Sequence, residues 1–167
     1  MNESTALSPQ SPQPSAAIRR LGVFVGNWRV EGQSYAEGQI PADPRASAVP
    51  WVSDESYEWL PGGFFLLHRW DATAGTYAFK GTEIIGYDES EQRYYSRFFD
   101  NAGNHATYKV AVDGNTWTFS EAMTRATATI SDDGSRIVFN WEWQPRGTGW
   151  LPLCERSARR TGAAGRI

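Results

Sequence analysis

Residues 105–122 read HATYKVAVDGNTWTFSEA. Two strand-like runs flank Asp113-Gly114-Asn115, and such a triplet between apolar runs is a strong hairpin signal. Within the second run Trp117 and Phe119 share one face. The same grammar recurs on both sides. Downstream, TRATATI leads to Asp132-Asp133-Gly134, a second hairpin signal, then to RIVFNWEW and WLPLCERSA. Upstream, RYYSRFFD turns at Asn101–Asn104, and YAFKGTEIIGY turns at Asp88-Glu89-Ser90. FFLLHRWDA follows a Pro61-Gly62-Gly63 turn, itself preceded by VSDESYEWL. A long loop marked by Pro41, Pro44 and Pro50 separates these from NWRVEGQSY, where Trp28, Val30 and Gly32 alternate with Arg29, Glu31 and Gln33. Before Gly26, apolar residues at 18, 21, 24 and 25 fit a short helix.

These runs amount to about ten strands joined mostly by short hairpins, an up-and-down meander. An open sheet of that size would leave two edges and an unburied face. Closure into a barrel removes both problems. The expected fold is therefore all-β: an antiparallel barrel of about ten strands with a short N-terminal helix, wide enough for a ligand larger than one that fits about eight strands. The expected domain spans residues 18–160. Residues 1–17, rich in Ser, Pro and Gln, read as a disordered tail, and 161–167 as a frayed end.

Composition narrows the function. Net charge is −3, and nothing in the chain attracts a phosphate backbone, so nucleic acid is disfavoured as a partner. A single cysteine, Cys154, excludes an intramolecular disulfide framework and suits a reducing, cytoplasmic setting. No 18-residue apolar run implies a membrane span, and the N-terminus lacks the pattern of a signal peptide. Aromatic residues make up 14% of the chain, with eight Trp. That many rings imply either a thick core or an aromatic-lined cavity.

The stretch Gly26–Gly32, GNWRVEG, resembles the G-x-W signature on the first strand of calycin-type barrels such as lipocalins, fatty-acid-binding proteins and nitrobindins. A more specific resemblance runs through LPGGFFLLHRW, EIIGYDESEQRYYSRFFDNAG, DGNTWTF, ISDDGSRIVFNWEW and GWLPLCERSARR. Their order and spacing resemble the bacterial domain-of-unknown-function family 1579, over roughly residues 20–160. The resemblance implies a ten-stranded calycin-like barrel and no agreed activity. The nitrobindin branch binds haem through an opening G-x-W-x-G-x-G and a histidine near the C-terminus. Here Val30 replaces the middle glycine and WLPLCERSARR holds no histidine, so no cofactor is expected.

Several residues carry candidate chemistry. On the strand around FFLLHRW, Phe64, Leu66, His68 and Trp70 share one face; Phe65, Leu67, Arg69 and Asp71 share the other. An inward His68 would be a lone imidazole among aromatics, suited to proton transfer. An inward Arg69 would place a fixed charge in the lumen. His68 is favoured, since its face carries no carboxylate. Glu83, if buried, would have a raised pKa and would serve as acid or base; outside, it would pair with an arginine. Arg97 shares a face with Tyr95 and Phe99 and, if inward, would clamp a carboxylate. His105 is expected to be exposed. Trp28, Tyr57, Trp59, Phe99, Tyr108, Trp117, Phe139, Trp141 and Trp143 are the candidate lining, or else core. Cys154 reads as a buried, inert thiol. Two histidines and one cysteine fall short of a zinc pattern, so no metal is expected.

The favoured expectation is a protein that binds a small hydrophobic molecule in an aromatic-lined lumen. The alternative is a cofactor-independent isomerase, cyclase, hydratase or decarboxylase in which His68 or Glu83 moves a proton. Convergence of two ionisable groups in the lumen would favour catalysis. Trp51 and Trp150, expected on the surface, would seat a homodimer.

Overall fold

A computed structural model describes residues 11–162. Ten strands among them close into one antiparallel barrel in chain order. They are β1 (Gly26–Ser34), β2 (Val49–Trp59), β3 (Leu66–Ala74), β4 (Tyr77–Asp88), β5 (Arg93–Asp100), β6 (His105–Asp113), β7 (Thr116–Ser120), β8 (Thr124–Ile130), β9 (Arg136–Trp143) and β10 (Leu151–Gly162). Each strand pairs with its sequence neighbours, and β1 pairs with β10 to close the wall. Closure leaves no unpaired edge. The Asp113-Gly114-Asn115 turn joins β6 to β7 as expected, with Gly114 at φ 54°, where a side chain would be strained.

Alternation sets the inside. Trp28 and Val30 on β1, Leu66 and Ala72 on β3, Tyr108 and Val110 on β6, and Trp117 and Phe119 on β7 are all buried. Their outward neighbours are polar over most of the wall, the pattern expected of a sheet with one wet face.

One end of the barrel is plugged by the N-terminal segment. Helix α1 (Ala16–Arg20) starts at a Ser15 cap, whose side chain accepts from the Ile18 amide, and runs into a 3₁₀ turn at Leu21–Val23. Order therefore reaches into the expected 1–17 tail, because the serine satisfies a helix amide that would otherwise lack a partner. Residues 1–10 of that tail, and 163–167 of the expected frayed end, lie outside the described residues. Gly162 still belongs to β10.

Phe24 enters the barrel, stacks on Tyr57 at 5.6 Å and meets the Trp117 ring edge-on at 5.1 Å. The Tyr94 hydroxyl donates to the Ala17 carbonyl at 2.8 Å. The Trp28 indole donates to the Phe24 carbonyl at 2.8 Å, and the Arg160 guanidinium lies 4.2 Å from the Trp28 ring centroid. Arg160 also donates to the carbonyls of Val23, Val25 and Gly134. One tryptophan and one arginine thus tie β1, β10, the 3₁₀ segment and the β8–β9 turn together.

No helix among the described residues is long and apolar enough to cross a membrane.

Candidate functional site

The register across β2, β3 and β4 places Tyr57, His68 and Glu83 side by side on the inner wall. His68 faces inward and is 8% exposed. The Tyr57 ring lies flat against the imidazole, with centroids 3.9 Å apart and planes within 5°. The Glu83 carboxylate meets His68 Nδ1 at 3.0 Å. Glu55, two residues before Tyr57 on the same face of β2, meets His68 Nε2 at 3.1 Å. Both ring nitrogens therefore face carboxylates.

Burial alone would push the His68 pKa down. The hydrogen bonds and charges of Glu55 and Glu83 outweigh it and hold the imidazole above its ordinary value of 6.5. In its protonated form His68 donates from both nitrogens, one to each carboxylate. Burial would push the Glu55 carboxyl up, yet His68, then Arg156, then Ser53 bring it down to about 2. Glu55 is an anion with three donors around it: His68, the Ser53 hydroxyl at 2.7 Å and Arg156 Nη1 at 3.5 Å. The Trp51 indole extends the chain by donating to Ser53 at 3.1 Å. Arg156, on β10, sits 4.6 Å from the Trp51 ring centroid, 5.3 Å from Phe139 and 6.0 Å from Trp141. Aromatic faces suit a guanidinium, which is weakly hydrated and planar.

Around this ionic cluster the rings touch in sequence. His68 lies 5.2 Å from Trp70, Trp70 lies 6.4 Å from Phe98, and Phe98 stacks on Tyr108 at 5.9 Å. Tyr108 meets Trp141 at 5.6 Å, and Trp141 stacks on Phe119 at 6.3 Å. Trp70 lies over Gly81, where an added Cβ would fall 2.0 Å from the indole. A glycine is needed there because the ring occupies the place of a side chain. Burial leaves the Trp70 Nε1, Ser96 Oγ, Trp141 Nε1 and Arg156 Nε without a hydrogen-bond partner among the described residues.

The imidazolium makes a pH dependence. Folding raises the His68 pKa, so its stabilisation is full below the unfolded value of about 6.5 and fades as pH rises through the folded one. Glu55 acts oppositely: its stabilisation is full above about 4.5 and is lost as pH falls toward 2. The expected result of a nitrogen-15 titration is a His68 midpoint above the ordinary value of 6.5. A His68 midpoint at or below 6.5 would contradict the two-carboxylate geometry.

Other candidates fall in three places. Tyr57, Tyr108 and Phe139 are buried in the interior with His68 and Glu83, and Trp141 packs against them. Trp28 and Trp117 belong to the plugged end, and Trp59 packs half-buried on the core. Trp143 reaches the opposite end, where its indole donates to Gln39 at 2.8 Å.

Two placements correct the expectation. Arg97 and Phe99 point outward, both exposed, with Phe99 6.2 Å from the exposed His105 ring. The inward phase of β5 is Tyr94, Ser96 and Phe98. Both faces of RYYSRFF carry two aromatics, so composition does not reveal the phase. Trp51, expected on the surface, is 7% exposed and belongs to the core. Arg69 points outward and pairs with Glu58.

Glu55 and Arg156 were not among the candidates. The signal was present in VSDESYEW, where Trp51, Ser53, Glu55, Tyr57 and Trp59 share a face. It was also present on β10, where Cys154, Arg156 and Ala158 do. Cys154 is buried, as expected, and burial pushes its thiol pKa up. A groove of about 750 Å³ is lined by Glu55, Trp70 and Trp28 together with Asp54, Arg69, Asp71, Lys80 and Phe99. Neither His68 nor Glu83 lines it, and Lys80 there is already paired with Asp71 at 2.7 Å.

Fold and interior together define a closed ten-stranded up-and-down β-barrel with a buried His–Glu–Arg cluster inside an aromatic wall. The chain belongs to the family of proteins of unknown function designated DUF1579, whose model matches residues 13–148. No curated protein matches the sequence. Among solved structures it is similar to Rv2717c from M. tuberculosis, with a TM-score of 0.62 at 10% identity, covering 89% of this chain and 99% of that one. It is also similar to the S-type phycobiliprotein lyase CPES from Guillardia theta, with a TM-score of 0.56 at 12% identity, covering 89% and 94%. At these identities the likeness shows the fold.

Proposed function

We propose that this barrel binds one small, largely apolar molecule in its interior. The observation that carries the reading is the run of rings from Tyr57 through Trp70, Phe98 and Tyr108 to Trp141 around a few fixed polar groups. Apolar walls with sparse, oriented polar groups are the usual form of a small-molecule site. Small inward residues, Ala72, Ala126 and Ala128, are interspersed with the large ones. Two carboxylates, Glu55 and Glu83, face the two basic groups, His68 and Arg156. The plugged end favours entry from the opposite one, beside Gln39 and Trp143.

Acid–base catalysis is the second reading, and the 3.0 Å contact of His68 with Glu83 favours it. In that reading the imidazolium donates a proton and a neighbouring carboxylate keeps it oriented. Binding ranks first because both imidazole nitrogens are engaged and Tyr57 covers one ring face, so the histidine is held rather than presented.

The test uses N-phenyl-1-naphthylamine, a neutral aromatic probe. Its fluorescence is expected to rise and saturate at one molecule per chain, with quenching of the tryptophans. A rise that never saturates, or none at all, would contradict an interior site.

A further inference from the structure

Resting on the interior-site reading, we infer that the natural guest brings hydrogen-bond acceptors and not donors: a flat apolar molecule bearing a carboxylate or conjugated carbonyl oxygen. The interior's polar inventory is lopsided. Its carboxylates are engaged: Glu55 takes hydrogen bonds from Ser53 and His68 and pairs with Arg156, and one Glu83 oxygen meets His68. Of its four unpartnered buried atoms among the described residues, three can only donate. The indole N–H groups of Trp70 and Trp141 and the Nε–H of Arg156 are buried with no partner among the described residues, and the Ser96 hydroxyl joins them. Buried donors left unpaired are costly, and native interiors rarely keep several without a reason. A guest that supplies oxygen lone pairs removes that cost, whereas a guest that supplies only N–H groups leaves those donors unpaired.

The donors belong to one neighbourhood. The Arg156 guanidinium lies 6.0 Å from the Trp141 ring, and Glu55 links Arg156 to His68, whose ring is 5.2 Å from Trp70. Ser96 is the β5 partner of Tyr108, which touches Trp141. An aromatic guest lying against these rings would present its oxygen to them edge-on. Carboxylate and carbonyl share this chemistry; the arginine charge favours the first and the nearby Glu55 tempers that preference.

Displacement of N-phenyl-1-naphthylamine separates the possibilities. The competitors are naphthalene, 1-naphthoate, 1-acetylnaphthalene and 1-naphthylmethylammonium, which share a ring system and differ in the group it carries. The two oxygen-bearing compounds are expected to compete about tenfold or more better than naphthalene, the gain of one or two well-placed hydrogen bonds. The ammonium is expected to be no better than naphthalene. In Trp141→Phe, which removes one donor and keeps a ring, the advantage of the oxygen-bearing compounds over naphthalene, compared within the variant, is expected to shrink. Equal competition by all four, preference for the ammonium, or an unchanged advantage in Trp141→Phe would overturn the inference and leave the interior site standing. If the probe itself does not bind, the interior site falls, and the inference with it.

Discussion

Replacing Glu55 with glutamine is expected to cost about 3–5 kcal/mol of folding stability at pH 6 to 7. The side chain is 3% exposed and is, among the described residues, the carboxylate that touches His68, Arg156 and Ser53 together. Glutamine keeps the shape and removes the charge. It leaves a guanidinium and an imidazolium sharing Glu83 as their anion, and its amide turns a donor toward groups that are themselves donors. Removing one partner of a buried pair costs far more than the pair contributes over an apolar substitute, because the survivor stays buried and unbalanced. A second readout accompanies the first. The His68 pKa should fall in the variant, since one of the two groups raising it is gone. Urea unfolding and the histidine titration measure the two effects separately. A loss below about 1 kcal/mol with an unmoved His68 midpoint would mean the cluster is solvated and not part of the core.

Trp28→Ala is expected to cost about 3–5 kcal/mol, roughly a 6–20 °C fall in melting temperature for a chain of this size. Trp28 is 1% exposed, so its whole ring leaves a void. The variant also strips the Phe24 carbonyl of its 2.8 Å donor and the Arg160 guanidinium of the ring it covers. The plug then loses its tie to β1 and β10. Trp28→Phe keeps a ring without the N–H and should recover more than half of the loss. Thermal unfolding of both variants checks this. A mild Trp28→Ala, within 1 kcal/mol of the parent, would show that the N-terminal segment is held by other contacts. Trp28 and Glu55 are cross-strand Cα partners on β1 and β2. Direct neighbours couple, so a double variant should depart from additivity.

The barrel was legible because its signals are local. Asp113-Gly114-Asn115 and Asp132-Asp133-Gly134 declare turns, and two-residue alternation declares strands between them. Closure follows from the problem of edges. The candidate site was only half legible. His68 and Glu83 stood out as ionisable residues in apolar runs, and the register puts them side by side. Their third and fourth partners did not, because Glu55 and Arg156 lie about a hundred residues apart and in runs rich in charge. Only the β1–β10 closure brings β10 within reach of β2. Arg97 and Phe99 show the other failure. A strand with aromatics on both faces hides its phase, and a one-residue error in phase moves every side chain across the wall. Trp51 was misjudged for a related reason. It follows a proline-marked loop, yet Val49 and Pro50 are already in β2.

The most direct test of an interior binding site is a crystal structure of the protein grown with 1-naphthoate. The expected result is density for the naphthalene ring inside the barrel, against Trp70 or Trp141, with its carboxylate within hydrogen-bond distance of Arg156 or an indole N–H. Density confined to the groove beside Arg69 and Phe99, with none against Trp141 or Arg156, would contradict it.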